Sequence, residues 1–532
     1  MCQVSDREVK ALTKLIKKLE ISNNSVAKAL LNDAEREIWH PGKTGMMQKN
    51  LYQQEQVRLN LQQALELLIV EESNDFFSHS SSKSLLLENK NIEEQKLPTA
   101  NNSLDNSSTL LLGIPTYPEI ESCSTTSDRE FALHNFTGSE TIKHSREGHI
   151  ITVAPTGTGK GTTAIIPNLL HYRGSVVVID PKGENYAVTA RYRREIGHQV
   201  IKLDPFGLID SDSDRLNPLD IFELENADLE SDAQMLAELL STGNKFTIDP
   251  FWDLNSCGLY SGLITYVATT YSNRDRNLNS VRKLLINKDT EYNLAKILDD
   301  LGEKMNPMAY DEIAAFLNMP AQTTRPSVLA SAVSYIKPLM SDRVARTLEN
   351  SSFSLQDVVT GKPLSIYIII PPDKLNSHQG LLRLWIGTLF KAFTSRRHIP
   401  ELPTLLMLDE CAQLGNFSYL ETLITLCRGY GVKVWSFWQD LAQIRQLYPQ
   451  SWATIINNCA ILQFFGAKNF KMSQELSELV GVLAKDIRNL PQNEQIIVNN
   501  GVPLQAQRFD YLNHLQFKNR FDANPFHLQK SL

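Results

Sequence analysis

One stretch restricts what this chain can fold into more than any other: HIITVAPTGTGKGTTAIIPNLL, residues 149–170. It opens on a short apolar run (Ile150, Ile151, Val153), passes through Pro155, Thr156, Gly157, Thr158, Gly159 and Lys160, and continues with helical spacing. Strand, glycine-rich turn and helix are the context a phosphate-binding loop requires. The glycines let the backbone curl so that several N–H groups face one anion. Lys160 adds a point charge, and the helix that follows presents its positive end. The pattern G-x-x-x-x-G-K-[ST] is broken twice: Ala154 stands at the first glycine, and Gly161 stands where the magnesium-binding hydroxyl belongs, with Thr162 and Thr163 just behind. A glycine-rich turn without a ligand is the bland alternative. Motifs further along the chain weigh against it.

After the loop comes SVVVID (175–180), a β-branched run that reads as a strand buried on both faces and ends in Asp180-Pro181-Lys182-Gly183-Glu184. A third strand, 198–204, ends in Asp204-Pro205-Phe206-Gly207. Strands separated by helix-length segments imply a doubly wound α/β sheet, whose ligands sit at the carboxyl ends of the strands. From 208 to 361 there are helical stretches and no convincing buried strand, which reads as an all-α insertion. The sheet resumes at 364–370 and continues at 404–408, 432–438 and 460–465. Beyond Gly481 the periodicity is weak, and Leu490-Pro491 and Asn499-Asn500-Gly501 mark turns.

Residues 1–72 read as a helical N-terminal region, with Leu12, Leu15, Ile16 and Leu19 at helical spacing. Residues 73–109 are rich in Ser and Asn and read as a flexible linker. The expected partition is therefore 1–72, 73–109, a nucleotide-binding domain from 110–207 and 362–532, and an insertion domain at 208–361.

The formal net charge of −7 gives no sign of a chain that coats nucleic acid, although a few basic side chains can still line one channel. The six cysteines are scattered without a C-x-x-C pair, which argues against zinc and disulfide scaffolds and suits a reducing cytoplasm. The N-terminus has no apolar signal core. The uncharged stretch that might qualify as a span, LNSCGLYSGLITYVATTYSN (254–273), carries too much Asn, Ser, Thr and Tyr to favour hydrocarbon. It reads as a buried helix, so no transmembrane span is expected.

A second constellation fits the first. TLLML ends in Asp409-Glu410, two carboxylates at a strand end. In an NTPase the first holds the Mg²⁺ shell, and the second can accept a proton from the attacking water. Gln439 ends the next strand, where a glutamine can sense a γ-phosphate or orient water. Arg428 precedes that strand. An arginine there is ordinarily a solvated charge, but in a ring-forming NTPase it can reach a neighbour's nucleotide as a finger.

The chain resembles the VirD4/TraG family of type IV secretion coupling proteins, from about Gly148 to the C-terminus. The segments that carry the likeness are APTGTGKG with IIPNLL, VVVIDPKGENYAVTA, VIKLDPFG, SIYIIIPPDKL, LLMLDECAQLG, LCRGYGVKVWSFWQDLAQI and QNEQIIVNNGVPLQAQRFDYL. The resemblance implies a RecA-like P-loop NTPase that uses ATP and Mg²⁺, forms a homohexamer, binds DNA without sequence preference, and delivers a relaxase–DNA substrate to a type IV secretion channel. It further implies that residues 155–162 cradle the phosphates, with Lys160 on the β- and γ-phosphates. Thr162 and Asp409 would hold Mg²⁺, Glu410 would be the base, Gln439 the sensor and Arg428 a finger acting in trans. GKG is frequent in the family, so Gly161 is ordinary there. The family's all-α domain is implicated in substrate recognition. The family also opens with membrane helices, whereas this N-terminus is polar. That points to a cytoplasmic protein, or to one held at the inner face of the plasma membrane by a partner. The alternatives are a related hexameric motor for effector export or chromosome handling, and a nucleotide-binding scaffold without turnover.

Overall fold

The computed structural model describes residues 108–116, 141–144, 148–241 and 250–525. The expected N-terminal helices and nearly all of the expected linker lie outside them. Eleven strands occur among the described residues: β1 (Leu110–Pro115), β2 (Ile142–His144), β3 (His149–Val153), β4 (Val176–Ile179), β5 (Gln199–Leu203), β6 (Leu364–Ile368), β7 (Thr404–Leu408), β8 (Val432–Trp438), β9 (Cys459–Phe464), β10 (Glu494–Asn499) and β11 (Val502–Gln507). They form one sheet in the order β2-β1-β11-β10-β9-β3-β8-β7-β4-β6-β5. From β9 to β5 every pairing is parallel, while β10, β11, β1 and β2 extend the other side antiparallel.

The central strands are mostly apolar because both of their faces are covered. Ile151, Val153, Val177, Ile179, Leu406 and Leu408 enter one core. Their neighbours Ile150, Val176, Val178, Leu405 and Met407 enter the other, with Ala164, Ile165 and Leu169 from the helical segment after the phosphate loop. Fully burying a side chain of this size contributes about 1.5–3 kcal/mol.

Between β5 and β6 the described residues form helices and turns only, among them Leu229–Ser241, Pro250–Thr270, Thr290–Leu301, Pro307–Leu317 and Thr324–Ile336. Leu236, Leu263, Val267, Ile313 and Val328 of these helices share the first core with the sheet and with the long helix Pro372–Thr394. Pro250–Thr270 contains most of the uncharged stretch and buries Leu259, Leu263, Ile264 and Val267. No helix among the described residues is long and apolar enough to cross a membrane.

Two features of the sheet go beyond the sequence reading. The C-terminal segment supplies the hairpin β10–β11, whose two-residue turn is Asn500 (φ 50°) and Gly501 (φ 80°), paired as Asn499 with Val502. Such a turn requires positive φ at both central residues, which Asn-Gly tolerates. β10 also pairs antiparallel with β9, and β1 joins the far side of the hairpin.

Candidate nucleotide site

Three adjacent strand ends build the site. β3 delivers the loop from Ala154 to Lys160, β8 delivers Gln439, and β7 delivers Asp409 and Glu410. Ala154 N–H donates to the Trp438 carbonyl at 2.8 Å and locks the loop's start to the end of β8. Thr158 then closes the turn on the Pro155 carbonyl through its N–H (3.2 Å) and its hydroxyl (2.7 Å). Gly157 and Gly159 take φ of 82° and 85°, a region that other residues enter at a cost. A Cβ at Gly157 or Gly161 would meet open space, so the crest of the loop faces solvent. The helix begins with one wide turn, Gly161–Ile165, before Ile166–His171.

Lys160 reaches across the site. Its ammonium lies 2.9 Å from Asp409 Oδ1 and donates to Glu410 Oε2 at 2.8 Å. Gln439 Nε2 donates to Glu410 Oε1 at 2.8 Å. Burial alone would depress the Lys160 pKa, but Asp409 and Glu410 outweigh it and hold it above its ordinary value. Asp409 moves the other way. Burial raises its pKa, Lys160 opposes the shift, and the charges of Glu410 and Glu184 add to it. Glu410 takes φ 66°, the left-handed region, and this sharp exit from β7 turns its carboxylate toward Lys160 and Gln439.

Lys160, Asp409, Glu410 and Gln439 thus meet, although Lys160 precedes Glu410 by 250 residues in the chain. The hydroxyls of Thr162 and Thr163 both donate to the Gly159 carbonyl, at 3.0 and 2.8 Å, so this bond does not single out Thr162. Arg428 is not in the cluster. It lies in the turn Cys427–Tyr430 before β8, while Gln439 follows the other end of that strand. Seven residues of strand put roughly 20 Å between the two ends. There Arg428 lines a cavity of about 760 Å³ together with His149, Asn457, Asn458 and Asn500.

The DPKGE segment, without a role in the sequence, stands beside the site. Ile179 pairs with Leu408, so Asp180 leaves β4 alongside Asp409. Asp180 is fully buried, accepts the Tyr186 N–H at 2.8 Å, and so fixes the start of helix Glu184–Glu195. Burial pushes its pKa up to about 7, assisted by Asp409 and Glu184 and opposed by the hydrogen bonds from Tyr186 and Asn185. Asp204 is a turn organiser, accepting the N–H groups of Leu208 and Ile209 at 3.0 and 2.9 Å.

Two residues that the motif search passed over touch the loop. Lys468, beyond β9, donates to the Thr156 carbonyl at 2.6 Å. Arg508, just after β11, donates to the Thr158 carbonyl and stacks on Phe465, 4.6 Å from the ring centre. Neither belongs to a phosphate-loop pattern. The only signal was that Arg508 sits in the tail segment shared with the resembling family.

The chain is 26 % identical over 362 residues to the conjugal transfer protein TraG of Escherichia coli, covering 64 % of this chain and 56 % of that one. With TraG of Rhizobium radiobacter it shares 30 % over 306 residues, 56 % of this chain and 47 % of the relative. The chain thus spans about half the length of these curated relatives. Among solved structures, the plasmid coupling protein TrwB in complex with ADP and Mg²⁺ superposes with a TM-score of 0.53 at 15 % identity, over 68 % of this chain and 85 % of that one. This likeness establishes the RecA-like P-loop fold. The family described as type IV secretory system conjugative DNA transfer matches residues 81–484, about three-quarters of the 532 residues, and the chain belongs to that family.

Proposed function

We propose that this chain is an ATP-driven DNA translocase that couples a relaxase–DNA substrate to a type IV secretion channel. The observation that carries the reading is the convergence of Lys160, Asp409, Glu410 and Gln439 at the carboxyl ends of β3, β7 and β8. The donor set suits a nucleoside triphosphate with Mg²⁺: backbone N–H groups of a glycine loop, one ammonium, and a carboxylate pair behind it. The relatives named above act in conjugal transfer, and TrwB is seen with ADP and Mg²⁺.

In this reading Lys160 leaves the carboxylates and binds the β- and γ-phosphates, which frees Glu410. Glu410 then accepts a proton from the attacking water while Gln439 holds its other oxygen. Asp409 and the Thr162 hydroxyl would hold Mg²⁺, which when bound would supply positive charge to the phosphate oxygens. Arg428, remote from its own subunit's cluster, serves the neighbouring subunit of a homohexamer. Residues 208–361 act as the substrate-recognition domain, and a partner protein holds the ring at the inner membrane. A scaffold without turnover would have no use for a Glu410 tied to both Lys160 and Gln439.

Steady-state ATPase assays with and without DNA test the reading. Lys160→Ala is expected to abolish hydrolysis. Glu410→Gln is expected to keep nucleotide binding and lose turnover. A Glu410→Gln chain with wild-type kcat removes Glu410 from the base role, and ATPase activity indifferent to DNA favours protein export over DNA pumping.

A further inference from the structure

The charges around the loop are unevenly matched. Lys160 is already shared between Asp409 and Glu410. Arg508 is different: its guanidinium is half-buried against the loop, and among the described residues it forms no ion pair. One Nη donates to the Thr158 carbonyl, its face lies on Phe465, and its Nε is buried without a hydrogen-bond partner. Burial lowers its pKa, with no carboxylate acting against that shift. A desolvated cation with an unused N–H is costly unless an anion completes it.

The segment that carries Arg508 is anchored to the same neighbourhood on both sides. Tyr511 N–H donates to the Thr162 carbonyl at 3.3 Å, and Asp522 N–H donates to the Val188 carbonyl at 2.9 Å. Arg191 pairs with Asp522 at 2.6 Å, and Asn524 Nδ2 donates to Glu184. The tail from 508 to 524 therefore runs from the phosphate loop to the helix that starts beside Asp409. Exposed Lys468, on the Thr156 carbonyl, adds a second cation against the loop.

We propose that Arg508 is a nucleotide-binding residue that contacts the phosphate chain beside the Thr158 carbonyl, so that the C-terminal tail completes the nucleotide site in cis. This rests on the nucleotide-site reading above. An arginine presents its N–H groups as a planar fork, and the one bond to Thr158 leaves others for phosphate oxygens.

The test is equilibrium binding by the full chain of fluorescent ADP with Mg²⁺, and of tripolyphosphate in competition with it, with circular dichroism as the control for fold. Arg508→Gln keeps a donor for the Thr158 carbonyl and removes the charge. It is expected to weaken both ligands by roughly tenfold or more, the scale of a lost charge-assisted hydrogen bond. Arg508→Lys is expected to recover most of that loss. If Arg508→Gln binds both ligands as the wild type does, Arg508 only braces the loop and the proposal is overturned. A loss for ADP with none for tripolyphosphate overturns the phosphate contact as well. A wild-type chain that binds neither ligand overturns the nucleotide reading itself, a result distinct from wild-type binding that the variants leave unchanged.

Discussion

At Glu410 the backbone takes φ 66° and ψ 63°, a conformation that costs a non-glycine residue about 1–2 kcal/mol. The surrounding bonds hold it there: Lys160 on one carboxylate oxygen and Gln439 on the other. Strain of this kind persists where neighbouring structure over-determines it. Asp180 shows a second departure from ordinary chemistry. Its carboxyl titrates near 7 in the fold against an ordinary 3.8, so the folded chain holds a proton that the unfolded chain has released. The stability this gives is complete below about pH 4 and is lost as pH rises through 7. Asp180→Asn keeps an acceptor for the Tyr186 N–H and removes the titration. The stability of Asp180→Asn relative to wild type is therefore expected to grow between pH 4 and 7, at up to about 1.4 kcal/mol per pH unit, and to level off above. Urea melts of both chains at pH 5 and pH 8 check this, and a pH-independent difference would remove Asp180 as the titrating group.

Among the elements, the strands were the legible part of the sheet's centre. β4 is an unbroken apolar run, and β6, β7 and β8 are mostly apolar and fully buried, because helices cover both faces, and such runs stand out from any surface segment. β1, β2 and β11 are short or mixed, with LLLGIP, IKH and VPLQAQ, and β10 reads EQIIVN. The turn at Asn499-Asn500-Gly501 is legible, but the pairing of β1 with β11 and of β10 with β9 is not, because those partners are distant in the chain. The return from the helical segment to the sheet depends on one capping residue. Gly361 ends helix Leu355–Thr360 at φ 75°, and a Cβ there would lie 2.7 Å from the Pro400 ring, which cannot move aside as a flexible side chain can. Gly361→Ala is expected to cost roughly 2–4 kcal/mol from left-handed strain plus overpacking. A thermal or urea melt measures it, and a neutral result would mean that the junction shifts freely.

On the scale of the whole molecule, the two ends of β8 serve different subunits in the proposed ring. Arg428→Ala is expected to bind nucleotide normally and to lose orders of magnitude in kcat. Mixed with Lys160→Ala, it is expected to regain partial activity, because some interfaces then join an intact finger to an intact loop. Mixed oligomers that form and regain nothing would count against the assignment in trans, and a fully active Arg428→Ala would leave Arg428 a solvated surface charge. In the proposed ring, basic side chains lining a central pore would make DNA affinity depend on salt in spite of the net charge of −7. If six or more phosphates are contacted, the affinity is expected to fall by roughly a thousandfold between about 50 and 200 mM salt. Fluorescence anisotropy with a labelled oligonucleotide reads this directly, and a flat profile would contradict a phosphate-lined channel.

The sequence by itself determined the loop, the strand-end carboxylates, the glutamine and the parallel core, because each is a local pattern. A phosphate turn needs glycines and a lysine in succession, and a doubly covered strand needs consecutive apolar residues. The tertiary structure alone decided which groups face one another. It brought Lys160 onto Asp409 and Glu410 and set Asp180 beside Asp409 through the register of β4 and β7. It also brought Arg508, some 350 residues beyond the loop in sequence, onto the Thr158 carbonyl. Contacts of that kind are set by strand order and by the antiparallel turn at Asn500-Gly501. No local pattern records where a strand inserts into a sheet.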